Sequence, residues 1–270
     1  MKPILFHVLD WPIRTYGVTM AVAFLAGILL ARRRAKAAGL DPNLIVDLAF
    51  YVIIASIAGA RATYVAVHWD YFRHDLLGAL RLWDGGLAQY GGIAAGVVVG
   101  LVFFARRRVN PWLGADLVTP SVALGVAIGR IGCFMNGCCF GKPCALPWAV
   151  TFPQDSIAGY QFPSAGLHPT QIYESLAALA VLAVLLAVDR RKPWDGFLLW
   201  LFVVLLAASR ALIDPIRYYE RESMAFERGA LAITVNQVLS VVLIAVAIAF
   251  MAFLSRRRRA PQAQVHTKRR

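Results

Sequence analysis

The sequence predicts an all-α membrane protein of about seven transmembrane helices, with its N-terminus periplasmic and its C-terminus cytoplasmic. Three observations carry this. Hydrophobic residues make up 59% of the 270 positions, and charged residues only 16%, where a soluble domain has roughly a quarter. Mean hydropathy is +0.62. The basic residues fall in short clusters between long apolar runs.

A span needs about 20 mostly apolar residues. Such runs begin near Tyr16, Leu44, Leu87, Gly114, Gln171, Gly196 and Leu231. They are continuous, whereas barrel strands would alternate apolar and polar. Helices satisfy their own backbone in lipid. The third run, GGIAAGVVVG, contains Gly91, Gly92, Gly96 and Gly100 and predicts a helix packed closely on a neighbour.

Charge sets the expected orientation. With the N-terminus outside, the cytoplasmic segments hold Arg32, Arg33, Arg34 and Lys36; Arg106 to Arg108; Arg190, Arg191 and Lys192; and the tail from Arg256. Those clusters contain most of the 28 basic residues, accompanied only by Asp41, Asp47, Asp116, Asp189 and Asp195. Basic clusters on one face after every second span follow the positive-inside rule. The net charge of +13 is therefore an orientation signal, and no nucleic-acid partner is expected. Residues 1–255 are read as one polytopic domain with periplasmic loops 68–86 and 134–169. Residues 256–270 are read as a basic, disordered cytoplasmic tail. The amino terminus lacks the pattern of a removable signal peptide, and no internal repeat is visible.

Ionisable residues within spans are costly and mark function by default. Arg61, in GARATYV, and Arg130, in GVAIGRIGCF, lie towards the outer ends of the second and fourth spans. Arg210, Asp214 and Arg217 recur at i, i+4 and i+7 in SRALIDPIRYY, on one helix face, where Pro215 should end the helix. Arg61, Arg130 and Arg210 are expected to share an outer pocket suited to a phosphate, because guanidinium groups bind it with planar charge-assisted hydrogen bonds. Snorkelling to the interface is the competing reading for Arg217, and an internal pair for Arg210 with Asp214.

The longest outer loop holds Cys133, Cys138, Cys139 and Cys144 at or near its start and ends in LHPTQIYES. His168, Gln171, Tyr173 and Glu174 gather at that helix entrance. His168 has two readings of equal weight, proton acceptor or helix-entrance hydrogen bonding. Glu174 also suits a helix amino terminus electrostatically. The spacing C-x4-CC-x4-C is not the usual paired zinc pattern, and an outer location favours disulfides or inert packing. Redox chemistry comes second and a metal third, so no metal or organic cofactor is expected. Gln89 and Tyr90, in WDGGLAQYGG, are candidates for hydrogen bonding a ligand; Tyr90 and Tyr16 also fit an aromatic belt.

At these residues the sequence resembles the prolipoprotein diacylglyceryl transferase family. The resemblance runs through WPIRTYGVTMAVAF, GARATYV, WDGGLAQYGGIAAG, GRIGCFMNGCCFGKP, HPTQIYES, SRALIDPIRYYER and ITVNQVLS, in that order. It implies transfer of the diacylglyceryl group of phosphatidylglycerol to the thiol of a lipobox cysteine in a prolipoprotein signal peptide, with glycerol phosphate leaving, on the periplasmic side of the bacterial inner membrane. It implies that Arg130 binds the lipid phosphate, that Arg210 is a second essential arginine, and that Tyr16 and Asn136 line the site. The chain departs from the family pattern at Tyr90, where histidine is common, and at Cys133 and Cys138, where Asn and Glu are usual. A tyrosine, with a pKa of about 10, is a poor base, so His168 or the lipid phosphate is expected to take that role. The competing functions are a non-catalytic lipid-binding or transport protein, a paralogue with a different acceptor, and a thiol-redox membrane protein.

Overall fold

The computed structural model describes residues 4–9, 11–219, 224–228 and 231–259. In chain order the elements are strands β1 (Ile4–Val8) and β2 (Trp11–Arg14), helices α1 (Thr15–Ala37), α2 (Asn43–Val67), α3 (Trp69–Phe72), α4 (Gln89–Arg106), α5 (Pro111–Asn136), α6 (Ile157–Gln161), α7 (Thr170–Asp189) and α8 (Phe197–Ile213), strands β3 (Met224–Arg228) and β4 (Leu231–Thr234), and helix α9 (Val235–Arg259). Seven helices are long and apolar enough to cross a membrane: α1, α2, α4, α5, α7, α8 with its 3-10 extension to Ile216, and α9. The protein is thus a mostly helical, multi-pass membrane protein.

All seven spans start within four residues of the expected positions, the seventh later than expected because a strand precedes it. Leu231 to Thr234 form β4 and pair with β3, and the helix begins at Val235. A short apolar run carries the same hydropathy whether it forms strand or helix. Two antiparallel hairpins, β1–β2 and β3–β4, each run straight into a span, and their registers match pair for pair. Ile4 faces Arg14 and Val8 faces Trp11; Met224 faces Thr234 and Arg228 faces Leu231; each register shifts after its first pair. This structural duplication is invisible in the residues, because register is a backbone property. Helix α9 extends beyond residue 255 into the segment expected to be tail; residues 260–270 lie outside the described residues.

The chain forms two compact units, residues 24–122 and the remainder. In the unit of residues 24–122, the glycine stripe of α4 lies against α2. A methyl group on Gly59 would meet the Gly91 carbonyl at 2.8 Å, and one on Gly92 the Ser56 carbonyl at 3.0 Å. Only glycine allows backbones that close. Ala31, Ala35, Ile45, Leu48, Phe103, Phe104 and Leu117 form its apolar core. Arg34 donates to the carbonyls of Leu117 and Asp116, and Arg107 pairs with Asp47 at 3.0 Å. These two arginines therefore join helix ends in addition to any orientation signal.

In the other unit, Ala123, Val181, Leu185 and Leu198 bury against one another between α5, α7 and α8. Ser175 of α7 donates to the Ala127 carbonyl of α5 at 2.8 Å. The loop after α5 has its own aromatic core of Phe140, Phe152, Ala158 and Leu167, with Tyr218 stacked on Phe140. That core holds the turn after α5 against the entrance of α7. Isolated bridges join Gly141 to Arg217 and Pro143 to Leu167.

Candidate active site

Glu174, one turn into α7, is the centre of the site. Its Oε1 accepts from Arg210 Nη1 at 2.6 Å and from Arg217 Nη1 at 2.8 Å. Its Oε2 lies 2.9 Å from Arg130 Nε. Arg130 comes from the last turns of α5, Arg210 from the end of α8, and Arg217 from just beyond the 3-10 turn Asp214–Ile216. Three arginines so close would repel without a shared carboxylate, and a buried carboxylate is tolerated only when paired.

The arginines differ in how far they are committed. Arg210 also donates Nη2 to the Tyr219 hydroxyl at 2.7 Å, and its Nε lies 3.4 Å from Asp214. Arg217 is buried and sits over the Tyr219 ring at 5.4 Å. Arg130 keeps its Nε beside Glu174 without the alignment of a hydrogen bond, since Oε2 has no bonded partner. Among the described residues its two terminal nitrogens have no hydrogen-bond partner, and its side chain is 24% exposed. It is the least committed guanidinium of the three.

Asp214 anchors the far side. It is fully buried and accepts from the hydroxyls of Tyr219 and Thr234. Thr234 and Gln237 exchange bonds at the start of α9, the Gln237 amide donating to the Thr234 hydroxyl and the Thr234 amide to Gln237 Oε1, both at 3.1 Å. This reciprocal cap fixes α9 to the Asp214 corner. Burial, followed by the bond to Asp214, pushes the Tyr219 phenol up to about 12, so it stays a neutral donor.

The cysteines meet beside the arginines. The sulfurs of Cys133, Cys138 and Cys139 lie within 4.8 Å of one another. All four cysteines are free thiols; of the two leading expectations, disulfides or inert packing, the structure has no disulfide. The Arg217 guanidinium lies within electrostatic reach of Cys139. The neighbouring Cys133 and Cys138 thiols, then the charges of Arg217 and Arg130, pull the Cys139 thiol below its ordinary range. The turn is fastened from α7: Gln171 donates to the Cys138 carbonyl at 2.7 Å and Thr170 to the Cys139 carbonyl at 2.9 Å.

The expected site residues separate accordingly. Arg130, Arg210, Glu174 and Asp214 come together. Tyr16 lies within electrostatic reach of Arg130 and the three thiols, and Asn136 lies beside Cys138. Gln171 is fully buried, with its Oε1 unpartnered. His168 packs edge-on to Tyr173 at 6.3 Å and keeps a buried, unpartnered Nδ1; among the described residues no bond joins it to the arginines. Arg61 corrects the expectation of a phosphate-binding side chain. Its five N–H groups are spent on the carbonyls of Gly78, Ala79, Arg81, Gly85 and Gly86, and Arg217 is the third arginine of the cluster instead. Gln89 lines a shallow apolar groove with Ser56, Ile57 and Leu87, and Tyr90, 63% exposed, stands at the start of α4; both belong to the unit of residues 24–122. Sequence reasoning did not single out Tyr219 or Thr234, whose partners lie at Asp214; the only trace was their presence in SRALIDPIRYYER and ITVNQVLS.

Fold and site together define a multi-pass membrane protein with a carboxylate-anchored arginine cluster at one end of its helices. Comparison with known proteins makes the class specific. The sequence profile of the family described as prolipoprotein diacylglyceryl transferase matches residues 3–253. The phosphatidylglycerol--prolipoprotein diacylglyceryl transferase of Thermosynechococcus vestitus is 36% identical over 207 residues, covering 76% of this chain and 77% of its own. Its namesakes in Synechococcus elongatus and Nostoc sp. are 38% and 34% identical, over 80% and 95% of this chain and 76% and 90% of theirs. The chain belongs to the prolipoprotein diacylglyceryl transferase family.

Proposed function

We propose that the protein transfers the diacylglyceryl group of phosphatidylglycerol to the thiol of a lipobox cysteine in a prolipoprotein signal peptide. The thiol sulfur attacks the glyceryl carbon, the carbon–oxygen bond to phosphate breaks, and glycerol phosphate departs with the electron pair. The single observation that carries this reading is Arg130, a partly exposed guanidinium with two uncommitted nitrogens, oriented through its Nε by Glu174. Such a fork matches two phosphate oxygens, and donors already aimed where charge grows are the largest common source of rate enhancement. Arg210 and Arg217 hold Glu174, and Tyr16, Asn136 and Gln171 line the site around the leaving group.

The cluster lies at the C-terminal ends of α5 and α8 and the N-terminal end of α7, opposite Arg190, Arg191 and Lys192 at the other end of α7. By the positive-inside rule, the reacting end faces the periplasm, the N-terminus is periplasmic and the C-terminus cytoplasmic, in a bacterial inner membrane. The test is mass spectrometry of a lipobox peptide incubated with the purified protein in phosphatidylglycerol nanodiscs. A mass gain of one diacylglyceryl group is expected, absent with a Cys→Ser peptide and with Arg130→Ala. An unmodified peptide with the folded wild-type protein rejects the reading.

A further inference from the structure

We propose that Cys133, Cys138 and Cys139 hold a zinc ion whose open fourth position takes the acceptor thiol of the peptide. The inference rests on the transferase reading above and supplies its missing step, removal of the thiol proton. Glu174 is committed to three arginines. The Tyr90 phenol is a poor base near neutral pH. A thiol that coordinates a divalent metal is deprotonated outright.

The thiol geometry fits the ion. Four-coordinate zinc with sulfur at about 2.3 Å places its ligands about 3.8 Å apart, and the three sulfurs already lie within 4.8 Å. Two elements supply them, the last turn of α5 and the turn beyond it. That turn has positive φ at Gly137 (68°) and at Cys139 (63°). A non-glycine residue in that region is uncommon, and such strain persists only where its surroundings impose it. Here Gln171 and Thr170 clamp the two cysteine carbonyls. Three converging sulfurs exceed the two that a disulfide uses. Three protein ligands with one position left open is the pattern of catalytic zinc, whereas structural zinc closes with four; Cys144 is not in the group. The positive charge of Arg217, within electrostatic reach of Cys139, offsets part of the negative charge of three thiolates.

The step balances without an oxidant. The peptide thiol binds zinc and loses its proton to water. The bound sulfur forms a bond to the glyceryl carbon as the carbon–oxygen bond breaks, and the electron pair leaves on the phosphate held by Arg130. The neutral thioether is a weaker ligand and dissociates.

The full-length protein is loaded with zinc in detergent and studied by elemental analysis and zinc-edge X-ray absorption. One tightly held zinc per chain is expected, with three sulfur ligands, rising to four on addition of a lipobox peptide and not of its Cys→Ser form. Cys138→Ser and Cys139→Ser should lose the ion, and Cys144→Ser should keep it. Absence of stoichiometric zinc, oxygen and nitrogen ligation, or a sulfur count unchanged by peptide overturns the proposal, and the absorption measurement on wild type needs no variant to fold. Peptide lipidation, followed separately, tells the two readings apart. Undiminished lipidation by zinc-depleted protein removes the metal and leaves the transferase. Bound zinc with peptide-induced fourth sulfur ligation, but no lipidation, keeps the site and removes the transferase.

Discussion

Glu174 lies 2.9 Å from the Nε of Arg130 and accepts from Arg210 and Arg217 with its other oxygen. A single carboxylate thereby ties together the guanidinium groups of three helix ends. Removing it should cost more than one contact. Glu174→Gln is expected to destabilise the protein by about 3–5 kcal/mol, the range for breaking a buried ion pair, and to abolish transfer. Thermal unfolding in detergent and the peptide assay check both parts. Glu174→Asp, one methylene shorter, should restore charge and part of the stability without restoring full activity.

Arg61 acts on its own unit. Replacing its five-donor fork by the point charge of Arg61→Lys leaves several carbonyls at residues 78–86 without donors. The expected loss is at least about 2 kcal/mol of stability, with faster amide exchange across residues 76–88. Phosphatidylglycerol affinity of the folded fraction should be unchanged. Protection at wild-type level in that segment would contradict the structural role.

Tyr219 gives a pH signature. Its phenol is raised from 10.0 to about 12 by burial and by Asp214. The folded state therefore prefers the neutral form. The stability from this preference is fully present below pH about 10 and is lost as pH rises from about 10 to about 12. A spectrophotometric titration should show one late-ionising tyrosine, missing in Tyr219→Phe. An identical titration curve for the variant would remove Tyr219 from the Asp214 network.

Thr234 joins α9 to that network. Thr234→Val keeps the shape but removes the cap and the bond to Asp214. A cap loss costs about 0.5–2 kcal/mol, and the first turn of α9 should exchange faster while the other spans stay protected.

The spans were legible because hydropathy over about 20 residues is a strong, local signal. The α2–α4 contact was equally legible in GGIAAGVVVG. Arg130, Arg210 and Asp214 could be found because charge inside a span is rare. Apart from the pairing of Arg210 with Asp214, which their i, i+4 spacing suggests, what each charge contacts was not legible. Arg61 and Arg130 have similar glycine-containing settings in the sequence, yet one is saturated by backbone carbonyls and the other is partly open. That difference depends on how residues 76–86 fold back on α2, which no periodicity encodes. The hairpins escaped notice because four or five apolar residues carry the same pattern in a strand or a helix. The thiol cluster escaped because the convergence of Cys133 with Cys138 and Cys139 is set by two positive φ angles, and spacing alone does not report them.

In the proposed reaction Arg130 holds the phosphate of phosphatidylglycerol. Native mass spectrometry of the protein titrated with that lipid measures it most directly. The wild type should bind one lipid tightly, and Arg130→Gln, with unfolding behaviour close to wild type, should bind at least about tenfold more weakly, since a charge-assisted bond contributes roughly 1.5–3 kcal/mol. Equal affinity in the two proteins would contradict the account.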